Sequence, residues 1–168
     1  YILCYGDSNT WGCINNHTGR YDFDARWPGV LQSELGSGWH IYENGLNGRT
    51  TVFEDPIEEG RCGKEGFLTV LETCAPLDVV GTVRGSNDCK SGCGRDPWDI
   101  GWGMDLLIAY VRRATCGRDG ADPQIIVMSP PKMGTDWGKT IHGTVFGKAS
   151  NERASQLSDI YKKIAQRN

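Results

Sequence analysis

The sequence predicts an α/β fold, a three-layer α/β/α sandwich around a parallel sheet. Two observations carry this. The apolar runs YILCY (1–5) and PQIIVM (123–128) are continuous rather than alternating, as in strands buried on both faces. Amphipathic segments of helical period stand between such runs, the order that builds parallel crossovers. A length of 168 residues fits one domain, spanning 1–168, with a core that needs no staples.

The elements follow in order. YILCY stops at Gly6-Asp7, a buried strand ending in a turn. RWPGVLQSELG (26–36) places Trp27, Val30, Leu31 and Leu35 at helical spacing before a Gly stop. WHIYENGL (39–46) reads as a second strand, and the Gly- and charge-rich stretch 47–66 as a long loop. FLTVLETC (67–74) forms a short helix before a third strand within PLDVVGTVRGSND (76–88). In RDPWDIGWGMDLLIAYVRRA (95–114), Asp96 suits the N-cap, Pro97 the first turn, and Arg112 and Arg113 the C-terminal dipole. Ile100, Met104, Leu107, Ile108 and Val111 make its apolar stripe. PQIIVMSPP (123–131) is a fourth strand, and Leu157, Ile160, Tyr161 and Ile164 mark a last helix over 149–166.

A net charge of −3 argues against a nucleic-acid surface, and no apolar run approaches the roughly 20 residues of a membrane span. The seven cysteines are odd in number and do not form a disulfide framework. A reducing, cytoplasmic setting is therefore expected. Cys89 and Cys93 lie four apart with no second ligand pair, so no metal site is expected.

In a parallel sheet, ligands bind where the strands end. Three such ends carry GDSN (6–9), GLNGRT (45–50) and GSND (85–88). Acyl transfer needs a nucleophile and preorganised donors for an oxyanion. Ser8 offers a hydroxyl and its own N–H, Gly48 an N–H unobstructed by a side chain, and Asn87 a side-chain amide.

These blocks, GDSNT (6–10), ENGLNGRTT (43–51) and GSND (85–88), resemble the first three sequence blocks of the SGNH hydrolases, the GDSL esterases. The similarity extends through DARWPGVLQSELG, PLDVV, DIGWGMDLLI and QIIVMSPP, and is nearest to an arylesterase and acyltransferase subgroup. The resemblance implies a flavodoxin-like sheet and a serine esterase or acyltransferase acting on small esters without a cofactor. In it Ser8 is the nucleophile, Ser8, Gly48 and Asn87 are the oxyanion-hole donors, and Trp11 lines the acyl pocket. It also implies a homo-oligomer.

The family's fourth block, Asp-x-x-His, is absent: no aspartate here is followed three residues later by histidine. The resemblance thus implies a domain lacking its last strand, catalytic loop and helix. Of the three histidines, His17 follows the nucleophile turn, His40 sits in a strand, and His142 lies in a loop that in relatives covers the pocket. None has a partner in sequence that would orient it as the base. Gly81, Thr82 and Arg84 interrupt a strand that is apolar in relatives, and an arginine there needs a partner.

A binding protein that keeps the pocket without the base is the alternative to an enzyme, and a flavodoxin-like cofactor binder lacks a phosphate-cradling loop after strand one. Taken singly, Asp7 fixes a turn, Arg49 makes structural bonds in its loop, and Trp27, Trp98 and Trp102 belong to core or interface.

Overall fold

The computed structural model describes residues 1–14, 18–134 and 136–168. Four parallel strands, β1 (Ile2–Gly6), β2 (Ile41–Gly45), β3 (Val79–Val83) and β4 (Gln124–Met128), form one sheet in the order β2-β1-β3-β4. The register is flush: Gly6 stands opposite Gly45 of β2 and Val83 of β3. The strand ends after β1, β2 and β3 therefore open at one edge, with neighbours about 4.8 Å apart.

The helices are α1 (Ser8–Trp11), α2 (Trp27–Leu35), α3 (Phe67–Cys74), α4 (Pro97–Arg113) and α5 (Lys148–Arg167). Asp96 and Asp99 close a reciprocal capping box at the start of α4, with Asp96 accepting from the N–H groups of Trp98 and Asp99. The expected stripes of α4 and α5 are buried: Met104 and Leu157 have no exposed surface. They pack with Phe67 and Leu71 of α3 on the face presented by Leu3, Tyr5 and Val80.

The opposite face is thinner than the sequence suggested. Ile2, Cys4 and Ile41 pack there against Trp27 and Leu31 of α2. Val30 and Leu35, expected on the buried stripe, are 44% and 37% exposed. The i, i+4 pair Trp27/Leu31 spans the strands beneath α2, so the rest of that short helix turns outward. Among the described residues the cover of this face is uneven, and Ile126 of β4 is 46% exposed. The segment 47–66 carries no strand or helix, as expected of a loop. Trp98 and Trp102, placed in core or interface by the sequence, are 43% and 49% exposed. No helix among the described residues is long and apolar enough to cross a membrane.

Candidate active site

The chain leaves β1 through Asp7, which has no exposed surface and caps α1 by accepting from the N–H and the side-chain amide of Asn9, both at 2.9 Å. Ser8 is the first residue of α1 and half-buried, its carbonyl accepting from the N–H of Gly12. Gly45 explains how α1 fits over the end of β2. A Cβ there would stand 2.2 Å from the backbone nitrogen of Trp11, so α1 rests on a strand end that only glycine can offer.

Gly48 has φ +79°, the left-handed region, and a Cβ would meet the Glu58 carboxylate at 2.9 Å and the Arg61 side chain at 3.0 Å. Its neighbour Arg49 locks the loop to β1 and β2. The guanidinium donates to the carbonyls of Gly6 at 3.0 Å and Asn44 at 2.8 Å, and lies 4.3 Å from the Tyr5 ring centre. Burial pulls Arg49 down to about 10.

After β3, the amide of the buried Asn87 donates to the Arg49 carbonyl at 3.0 Å, which brings the third block against the second. One of its two amide hydrogens is thereby used, and the other is left for a second acceptor. The two neighbours of Arg49 in the loop are tied the same way. Arg84 donates to the Thr50 carbonyl at 3.4 Å, and Asp88 accepts from the N–H and hydroxyl of Thr51. Residues 49, 50 and 51 are thus each held by a different residue at the end of β3. Sequence reasoning missed the Thr51–Asp88 pair, although both residues stand inside the blocks ENGLNGRTT and GSND.

Arg84 resolves the interruption noted in β3. It lies just beyond the strand, wholly buried, with its guanidinium 3.8 Å from the Tyr5 ring centre and a hydrogen bond of 3.1 Å to the Gly63 carbonyl. Among the described residues its Nε and Nη2 have no hydrogen-bond partner. Burial pulls its protonation range down, while Tyr5, Asp7 and Asp88 act to raise it. Burial pushes the Asp7 carboxyl up against the bonds from Asn9, and pushes Asp88 up to about 6 against those from Thr51. The Arg84 guanidinium and two carboxyls are thus sealed beneath the strand ends, with the half-buried Arg49 beside them, where charges interact far more strongly than in water.

Trp11 ends α1, half-buried, with the Arg20 guanidinium 5.0 Å from its ring centre. His40 immediately precedes β2, and its carbonyl accepts from the N–H of Ile2. It therefore sits at the opposite edge of the sheet from Ser8, roughly 16 Å away over a five-residue strand. His17 and the side chain of His142 lie outside the described residues. Cys89 and Cys93 are free thiols, Cys89 being buried and pushed up to about 12.

No family model and no curated protein matches the chain. Solved structures do. The aryl esterase of M. smegmatis is 32% identical with a TM-score of 0.89, over 98% of this chain and 79% of that one. Est24, a carbohydrate acetylesterase from Sinorhizobium meliloti, is 34% identical with a TM-score of 0.83, over 98% and 79%. A carbohydrate acetylesterase family member from the same organism is 34% identical with a TM-score of 0.87, over 99% and 78%. With esterases as its neighbours along nearly its whole length, the protein is an ester hydrolase by class. The chain belongs to the SGNH hydrolase family, as the three blocks in its sequence had indicated.

Proposed function

We propose that the protein hydrolyses or transfers the acyl group of small esters through an acyl-enzyme on Ser8. The observation that carries this is the flush edge of β1, β2 and β3, where Asn87 is bonded to the Arg49 carbonyl beside Gly48 and all three blocks leave the sheet together. Ser8 Oγ gives its proton to a base and attacks the ester carbonyl. The N–H groups of Ser8 and Gly48 and the Asn87 amide receive the oxyanion, and the alcohol leaves with a proton. Water, or a second alcohol in transfer, then attacks the acyl-Ser8 carbonyl and restores the hydroxyl. The charges of the half-buried Arg49 and the buried Arg84 favour negative charge developing above them. Trp11 contributes a wall to the acyl side. The aryl esterase and acetylesterase neighbours support esters with small acyl groups.

The reading assigns the base to the Asp-x-x-His block of the family, which these 168 residues do not contain. In protein carrying that block, Ser8→Ala is expected to abolish p-nitrophenyl acetate turnover with an unchanged circular dichroism spectrum; turnover that survives the substitution overturns the reading. The 168-residue chain alone is expected to show little hydrolysis. Robust hydrolysis by it would move the base to His17 or His142. The second reading, a binding protein without catalysis, rests on His40 lying at the wrong edge of the sheet, and protein carrying the block but inert with intact Ser8 would favour it.

A further inference from the structure

We propose that Lys90 is a positioning residue that holds Asn87 in register with Gly48. Lys90 closes the short turn that Asn87 opens, and its N–H donates to the Asn87 carbonyl at 3.1 Å, so the backbone couples the two. A lysine in such a turn would ordinarily reach into water. Instead Lys90 is 8% exposed, and its ammonium donates to the Asp55 carboxylate at 2.7 Å. Asp55 is equally buried, and it belongs to the loop that carries Gly48.

The partner is itself fixed. Asp55 accepts through Oδ1 from the N–H groups of Ile57 at 2.9 Å and Glu58 at 3.0 Å, which leaves Oδ2 for the ammonium. The turn so made carries Glu58, whose Oε1 lies 3.9 Å from the ammonium and whose Oε2 pairs with Arg61 Nε at 3.0 Å. Both side chains stand where a Cβ on Gly48 would point. The Arg61 carbonyl then accepts from the N–H of Thr50 at 2.9 Å and from its hydroxyl at 3.0 Å. The contacts close a ring, from Asn87 through Lys90, Asp55 and Arg61 to residues 48–50, and back through the bond from the Asn87 amide to the Arg49 carbonyl.

A single hydrogen bond lets two loops pivot about it, whereas a second tie at a distance fixes the angle between them. A buried ion pair adds little to net stability, because desolvating both charges offsets their attraction. What the charged bond supplies is a short, directed contact between the two loops. An oxyanion hole needs that kind of constraint, since its donors act only if held in place before the charge forms. The inference rests on the acyl-enzyme reading above, in which Gly48 and Asn87 donate to the oxyanion.

Steady-state kinetics with p-nitrophenyl acetate, on protein carrying the Asp-x-x-His block, test this. Lys90→Met is expected to lower kcat at least about tenfold while KM stays within about twofold, because the donors serve the oxyanion and not the bound ester. In an Asn87→Ala background the same change should cost about twofold or less, since the donor it positions is gone. A lysine that served stability alone would cost the same in both backgrounds. Asp55→Asn/Lys90→Met leaves no buried charge unpaired and should show the same loss of kcat, so the result does not hang on the folding of the single variant. An unchanged kcat in that double variant, or a loss of equal size with and without the Asn87 amide, overturns the proposal alone. Turnover that survives Ser8→Ala overturns the acyl-enzyme reading and this inference with it, so the two failures are distinguishable.

Discussion

Thr51 donates twice to the buried carboxylate of Asp88, from its N–H at 2.9 Å and from its hydroxyl at 2.6 Å, and so fastens the loop after β2 to the turn after β3. Thr51→Val keeps the shape and the N–H but removes the hydroxyl. We expect it to cost about 1–3 kcal/mol, since the acceptor it leaves is buried. Urea unfolding measures this, and an unchanged midpoint would mean the clamp carries no load.

Asp88 also sets a pH dependence. Its carboxyl is pushed up to about 6, above the unfolded value near 4, so the folded state favours the protonated form. The stabilisation this gives is fully present below about pH 4 and is lost as pH rises through about 6. Asp88→Asn, which removes the buried charge and keeps an acceptor for Thr51, is therefore expected to be least favourable relative to the parent near pH 4. It should gain on it by roughly 3 kcal/mol at most by pH 7. Urea midpoints of the two proteins that run parallel from pH 4 to 7 would contradict the assignment.

Arg84 opposes that trend, because its charge draws the protonation range of Asp7 and Asp88 downward, after the stronger bonds from Asn9 and Thr51. Arg84→Met removes the charge and its bond to the Gly63 carbonyl, and leaves two buried carboxyls with their hydrogen bonds but without the buried cation beside them. A loss of about 3 kcal/mol or more is expected. Arg84→Met/Asp88→Asn should recover part of it, so that the double variant is more stable than the sum of the two single changes. Strict additivity in a double-mutant cycle would refute the coupling.

Gly48→Ala introduces a Cβ at φ +79° and 2.9 Å from the Glu58 carboxylate. The carboxylate is the mobile end of an exposed side chain and can shift, but the backbone strain of about 1 kcal/mol stays. The expected signature is a small loss of stability beside a larger, at least tenfold, loss of kcat/KM, because the N–H is displaced from the oxyanion. Stability falling with kcat/KM untouched would remove Gly48 from the hole.

The cysteines give a chemical map of the core. Cys4, Cys62, Cys89 and Cys116 are buried, while Cys13, Cys74 and Cys93 are partly exposed. Ellman's reagent is expected to titrate the second set in the native protein at about pH 8.5 and the first only in denaturant. Early reaction of Cys4 in β1, or of Cys89 in the turn after β3, both pushed up to about 12 by burial, would show that the core opens locally there.

Much of this was legible in the sequence, and for physical reasons. Strand and helix periodicities differ, so β1, β4, α4 and α5 declared themselves, and the Asp96 capping box was visible in the spacing of two aspartates. The strand-end loops that carry Ser8, Gly48 and Asn87 could be located because ligands bind at the strand ends of a parallel sheet, and the fold does bring Asn87 against the loop of Gly48. Val30 and Leu35 misled because helical spacing states which residues share a face, but not how wide a face the sheet beneath will cover. Arg84 looked like a flaw in a strand. Its use emerged only in three dimensions, where Tyr5, Thr50 and Gly63, distant in sequence, surround it.

The flush pairing of Gly6 with Gly45 and Val83 sets unequal tolerances on the gene. Lengthening any of these three strands by one residue would lift its loop about 3.3 Å relative to the other two and invert every side chain along it, so Ser8, Gly48 and Asn87 would part company. Adding residues beside Gly60, an exposed loop position where a Cβ would meet nothing, costs little beyond closure entropy, whereas Gly63 a few residues on is pinned by Tyr5 and Arg84. Length variation within this protein should therefore accumulate in its loops, while the distance from Ile2 to Ser8 stays fixed.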